Sequence, residues 1–253
     1  MKVFNKISTA LLLTAGVLGH QAFADNSVFT SMDDPSTAKK PFVGTAAAGY
    51  LAQTGNTTSS SLTAQTNMTW YRSDMAYSLW GNASNTSSND ERSSETYTIG
   101  GRTRYNLNSS DYLFGQASWL SDRFNGYRSR DTLATGYGRQ ILNGPVHSLR
   151  VEFGPGVRYD EYQGGGHSTK ALAYGALSYQ YQLTDTTKFI QGVSALSTLG
   201  DDTTLNSETG IQVAINTDFS LKVAYDVTWN NAPPASAPDH TDTKTTVMLS
   251  YSM

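Results

Sequence analysis

The residues with chemistry to offer are few in this sequence: three histidines beyond the N-terminal leader, two acidic runs, and charges that recur at alternate positions. Nucleophilic or acid–base catalysis needs a histidine held by an acid beside a serine, or a pair of carboxylates. His147 stands next to the turn-forming Asn143-Gly144-Pro145, and His167 follows Gly164-Gly165-Gly166. Only His240 has acids near it, Asp239 and Asp242, in a proline-rich polar stretch that reads as solvated loop. No catalytic constellation emerges, so the expectation is a protein that is not an enzyme. Asp201-Asp202 and Asn89-Asp90-Glu91 lack the regular ligand spacing of a calcium loop, and neither a metal nor a cofactor is expected.

The alternating charges point elsewhere. Arg102, Arg104, Arg150, Glu152, Arg158, Glu208, Lys222 and Asp226 all fall on the polar side of segments whose other side is apolar. Period two is the signature of a strand, and apolar on one face with polar on the other is the pattern of a membrane-spanning strand between lipid and a wet lumen. Charged lumenal residues set which solutes pass through a channel. They also pair and fill a narrow one, so a pore and a plugged barrel both remain open.

The final stretch, Thr243–Met253, shows the pattern plainly: Thr245, Val247, Leu249, Tyr251 and Met253 share one face, and Lys244, Thr246, Ser250 and Ser252 the other, with Met248 as the exception. From Phe42 onward twelve such segments are counted, each about 10 to 14 residues, close to what a tilted membrane strand requires. They run Val43–Gln53, Thr58–Tyr71, Ser73–Ser84, Thr96–Leu107, Asp111–Leu120 and Thr132–Leu142, then Val146–Tyr159, Ala171–Leu183, Lys188–Thr198, Leu205–Asn216, Phe219–Trp229 and Thr243–Met253. Pro155 interrupts one of them and argues for a bulge or weakened pairing. The phase of Lys188–Thr198 is ambiguous.

Connections sort by parity. After even-numbered segments they are tight, as in Arg72-Ser73-Asp74, Asn108-Ser109-Ser110 and Thr184-Asp185-Thr186. After odd-numbered segments they are mostly long and polar, as in Asn85–Glu95, Ser121–Asp131, Asp160–Lys170 and Asn230–Asp242. Short periplasmic turns and long outer loops characterise bacterial outer-membrane barrels, and an even strand count returns both termini to the periplasmic end.

Composition agrees. Only 15% of residues are charged, against about a quarter in soluble domains. The chain carries 15 Tyr and 4 Trp, suited to interfacial girdles, the expected place for most of Trp70, Trp80, Trp119 and Trp229. Residues 1–24 read as a signal peptide, with Lys2 and Lys6 before an apolar run and Ala22-Phe23-Ala24 at the cleavage point. Removing them leaves 229 residues and, with two lysines lost, moves the formal charge from -3 to -5. That acidity disfavours nucleic acid as a partner. No cysteine is present, which excludes a disulfide scaffold.

The expected organisation is therefore a cleaved signal peptide (1–24), a periplasmic N-terminal lead (25–41), and an all-β, closed antiparallel transmembrane barrel of about twelve strands (42–253) in the bacterial outer membrane. The barrel is expected to be monomeric. Arg92, Arg123, Arg128 and Arg130 fall in predicted outer loops, where they would meet the phosphates of lipopolysaccharide and other outer-membrane lipids. The closing strand would engage the barrel-assembly machinery.

Several stretches resemble the bacterial family of salt-induced outer-membrane proteins of the YdiY type. They include S-V-F-T-S-M-D-D-P near Ser27, G-Y-L-A-Q-T-G-N-T from Gly49, S-L-W-G-N-A-S-N-T-S-S-N-D-E-R-S-S-E from Ser78 and Y-L-F-G-Q-A-S-W-L from Tyr112. G-Y-G-R-Q from Gly136, L-N-G-P-V-H-S from Leu142, E-F-G-P-G-V-R-Y-D from Glu152 and A-P-D-H-T-D near the end continue the match over essentially the whole mature chain. The resemblance implies an outer-membrane barrel in a salt- or osmotic-stress setting, without naming a substrate or a catalytic residue. It also implies a C-terminal aromatic as assembly signal; this chain ends in Met253, with Tyr251 its last aromatic.

Overall fold

Twelve antiparallel strands close on themselves in sequence order, each bonded to its chain neighbours and the last to the first. The computed structural model describes residues 34–53, 59–88, 91–122, 127–198, 200–232 and 240–253, with the backbone alone described at 51–53, 59, 88 and 91–94. The expected signal peptide, most of the N-terminal lead, Arg123 and Asp239 lie outside the described residues.

The strands are β1 (Phe42–Gln53), β2 (Ser59–Arg72), β3 (Met75–Ser88), β4 (Glu91–Asn106), β5 (Asp111–Asp122) and β6 (Tyr127–Asn143). They continue with β7 (His147–Tyr162), β8 (His167–Gln182), β9 (Thr187–Thr198), β10 (Thr203–Ala214), β11 (Phe219–Asn230) and β12 (Thr241–Ser252). Closing a sheet pairs the backbone groups of its edge strands with each other, which is what lets a sheet cross hydrocarbon.

Alternation decides which face each side chain takes. Leu62, Leu79, Ile99, Leu133, Phe153, Ile211, Val223 and Leu249 are all exposed on the outer wall, as a lipid-facing surface demands. Trp70, Trp119 and Trp229 are outward too. Trp80 is the exception: it points inward and is 4% exposed. Met248, out of pattern in the sequence, is likewise inward and buried.

Two expectations need correction. The connections after odd strands are shorter than the polar stretches suggest, because the ladders run on: β3 and β4 stay paired out to Ser88 and Glu91, and β7 and β8 to Glu161 and His167. Beyond the lipid both faces of a strand meet water, so the side chains stop alternating while the backbone bonds persist. Arg128 and Arg130 consequently sit in β6 and Arg92 in β4, not in loops. Pro155 does weaken pairing, but on one side only. β7 is continuously registered with β8, whereas its ladder with β6 skips from Ala134↔Gly156 to Tyr137↔Phe153.

Closure is unequal around the ring. Four register pairs, Thr45↔Ser252 to Ala48↔Leu249, join β1 to β12, against twelve between β1 and β2 and eleven between β11 and β12. Met253 extends the seam by donating its N–H to the Gly44 carbonyl at 2.8 Å. From Gly49 upward the two strands lie close without a ladder. A disulfide between Tyr50→Cys and Val247→Cys, the next outward pair in this register, should raise resistance to thermal unfolding by about 2–4 kcal/mol equivalent. Heat-shift electrophoresis with and without reductant checks this in a cysteine-free background; identical melting would show that the seam is not the weak point.

Candidate functional site

The lumen is where this chain gathers its charges. All eight residues on the polar phase, Arg102, Arg104, Arg150, Glu152, Arg158, Glu208, Lys222 and Asp226, lie on strand positions that face inward. They divide into groups with different surroundings.

At mid-barrel β4 and β7 bring Arg102 and Glu152 into a buried ion pair, with side chains 4% and 6% exposed. The carboxylate also accepts the Tyr112 hydroxyl at 2.7 Å and the Tyr174 hydroxyl at 3.3 Å. Arg102 donates to Gln116 Oε1 at 3.0 Å and lies 5.0 Å from the Phe114 ring centroid. Around this pair Tyr112, Phe114, Ala134, Leu172, Tyr174 and Leu196 form an apolar cluster inside the lumen, filling the side spanned by β5 to β9. A buried ion pair is sustained only when its remaining hydrogen-bonding capacity is met, and the two tyrosines and Gln116 supply most of that.

Toward the end where β1 begins and β12 ends, Arg104 stacks 3.9 Å from the Tyr112 ring centroid and donates through Nε to Asn106 at 2.8 Å. Asn106 donates in turn to Asp34 at 2.6 Å, and Asp34 lies 3.8 Å from Arg104. Asp34 caps a short 3-10 turn, Pro35–Thr37, accepting the Ser36 N–H at 2.9 Å. Burial acts to raise the Asp34 pKa, but the bonds from Ser36 and Asn106 and the Arg104 charge outweigh it and hold the carboxyl below its ordinary range. Residues 34–41, the described part of the lead, are thus tied into this mouth, with Ala38 packed on Tyr71 and Ala76.

At the opposite end Arg158 bridges Asp160 at 3.1 Å and Asp202 at 2.7 Å, and Arg130 donates to Asp160 at 2.8 Å. Arg130 therefore leaves the surface-lipid set: in β6 its phase turns it inward, 4.1 Å from the Tyr127 ring centroid. Burial favours neutral Asp202, yet the Thr198 and Arg158 bonds keep its pKa low. Arg128 is the outward one, 71% exposed beside Glu161 at 3.2 Å. The Arg92 side chain lies outside the described residues.

On the far wall Glu208 takes Lys222 through both oxygens at 2.8 Å. Asp226 is opposite Glu208 on one side and Lys244 on the other. It is 2% exposed, and its Oδ1 has no protein partner.

Two cavities occupy the terminal end, of about 480 Å³ and about 420 Å³. They share Val43, Tyr71, Gln180 and Ser252 and so form one vestibule. Its polar liners, such as Gln65, Asn67, Ser178 and Gln212, are only partly buried, unlike the packed residues further along the lumen. Lys39, Lys40 and Lys188 belong to it and were not singled out in the sequence. The alternation of Lys188 with Phe189 is the signal that could have found one of them.

The three described histidines contact tyrosine rings, a tyrosine hydroxyl and a backbone carbonyl. His147 stacks on Tyr181 at 4.6 Å and bonds the Tyr179 hydroxyl at 2.9 Å, His167 stacks on Tyr159, and His240 Nδ1 lies 2.8 Å from the Asn230 carbonyl. Among the described residues no group of three or more carboxylates and histidines could hold a metal ion.

The model of the family described as proteins of unknown function, DUF481, matches residues 46–253. The chain belongs to the DUF481 family. A DUF481-type relative, the uncharacterized protein YdiY of Escherichia coli (strain K12), is 62% identical over 254 residues and covers the whole of both chains. Solved structures share the fold at low identity. An outer membrane channel from Pseudomonas putida F1 superposes with TM-score 0.54 at 10% identity, over 88% of this chain and 98% of that one. The translocator domain of the autotransporter NalP from Neisseria meningitidis gives 0.51 at 10%, over 90% and 92%, and the NanC porin 0.51 at 7%, over 83% and 98%. The DUF481 barrel is thus an outer-membrane type of barrel, at a sequence distance where likeness carries fold and nothing finer.

Proposed function

We propose that the protein is a non-enzymatic bacterial outer-membrane barrel that gives small solutes a narrow path, entered from a vestibule at the periplasmic mouth. The observation that carries this reading is the division of the lumen. Partly exposed amides and hydroxyls line the vestibule, and beyond it the lumen is filled by side chains of the strands themselves, Arg102, Glu152, Tyr112 and Tyr174. Side chains can move aside on the timescale of solute passage.

A closed structural barrel is the second reading, favoured by the deep burial of Arg104, Arg158 and Asp160. The two part in planar bilayers. The refolded barrel should give discrete steps that scale with salt and are small beside those of wide porins; an inserted, correctly folded barrel that stays silent under voltage would overturn the path and leave the structural role. The family resemblance supports service in the envelope under salt or osmotic stress. Arg128 supports contact with lipopolysaccharide phosphates, and the short β1–β12 seam supports a part for the final strand in assembly.

A further inference from the structure

The chain as a whole is acidic, with a formal charge of -3, yet its vestibule is not. Lys39, Lys40 and Arg150 line one of its two cavities and Lys188 and Lys222 the other, five cations against two acidic side chains, Asp34 and Glu208, and the α-carboxylate of Met253, which accepts the Gly44 N–H at 3.5 Å. Both acidic side chains are engaged. Asp34 is held by Asn106, Ser36 and Arg104, and Glu208 by Lys222 through both oxygens. Arg150 shares the field of Glu152 with Arg102, so two guanidinium groups face that one carboxylate. The balance left in the mouth is positive, and a cleft with walls of low dielectric focuses such a potential.

The neutral part of the lining has its own character. Gln65, Asn82, Asn143, Ser178 and Ser250 offer amide and hydroxyl groups, suited to exchanging hydrogen bonds with a hydroxylated solute in place of water. A volume of about 420–480 Å³ per cavity falls within the usual range for small-molecule sites.

We infer that the periplasmic vestibule is a binding site for a small hydroxylated solute bearing a carboxylate or phosphate. The cations draw in the anionic group, and the amides and hydroxyls take the remaining hydroxyls. The inference deepens the solute-path reading and rests on it for its purpose, though the site itself is defined by binding alone.

Calorimetric titration of the full refolded barrel in nanodiscs with glucuronate, glucose and inorganic phosphate tests it separately from conductance. Glucuronate should bind at least about tenfold tighter than glucose at low salt and lose affinity as salt rises. Replacing Lys39→Gln, Lys40→Gln and Lys188→Gln together should weaken glucuronate by about tenfold or more, without altering the heat-shift of the folded barrel. Glucose binding as tightly as glucuronate would overturn the anionic assignment, and phosphate binding more tightly than glucuronate would overturn the hydroxylated one. A conducting barrel that binds none of the three overturns the site and leaves the path; a silent barrel that binds glucuronate keeps the site and removes the path.

Discussion

Glu152→Ala should destabilise the barrel by about 3–5 kcal/mol, because it strands a buried guanidinium rather than merely deleting a bond. Arg102 has a side chain 4% exposed, and its pairing with Glu152 is what offsets its lost hydration. The same substitution removes the acceptor of the Tyr112 and Tyr174 hydroxyls, both inside the apolar cluster. Three donors lose one acceptor together. Urea unfolding in lipid vesicles, followed by the heat-shift on gels, measures the loss. The double variant Arg102→Met/Glu152→Leu should recover most of it, since a packed apolar pair avoids desolvation altogether. If Glu152→Ala unfolds at the wild-type urea concentration, the pair is solvated and the lumen is wider than its packing indicates.

The closed twelve-strand ring was legible in the sequence because one rule, alternation, operates wherever one face meets lipid and the other does not. Thr245, Val247, Leu249 and Tyr251 announce their strand, and Ile211, Val213, Val223 and Leu221 announce theirs. The inward phase of Arg102, Glu152, Glu208 and Asp226 follows from the same rule. What alternation conceals is an apolar residue on the inner face. Tyr112, Leu113 and Phe114 are three apolar residues in a row, so nothing local says that the first and third fill the lumen while the second meets lipid. The ambiguity of Lys188–Thr198 has the same origin: Ile190 and Leu196 face inward while Phe189 and Val193 face out. Arg130 was misplaced because a strand projecting into water has no apolar face to mark it. Ion-pair partners such as Arg158 with Asp202 are separated by many residues in sequence, and the order β7-β8-β9 in the curved wall brings them within reach.

Gly154→Val should cost the barrel its folding efficiency, or about 3 kcal/mol of stability in what folds, at the upper end of overpacking penalties. The reason is a backbone contact. A Cβ at position 154 would lie 2.0 Å from the Thr135 carbonyl oxygen and 2.6 Å from the Gly136 Cα, and one at 136 would lie 2.2 Å from the Phe153 carbonyl oxygen. Neither neighbour is a flexible side-chain end that could swing aside, so β6 and β7 must separate. They meet where the ladder is already interrupted next to Pro155, which brings no N–H to the pairing. The contact there is therefore packing of glycine on glycine, and a side chain disrupts it at the point where no ladder pair joins the two strands. Gly115→Val is the control: its Cβ would stand 3.5 Å from a Thr103 methyl on the outer wall, an ordinary contact. Yield of the heat-shifted folded form after refolding compares the two. A Gly154→Val barrel that folds and melts like the Gly115→Val one would show that β6 and β7 have room to part, and that the wall beside Pro155 is a yielding place rather than a tight one.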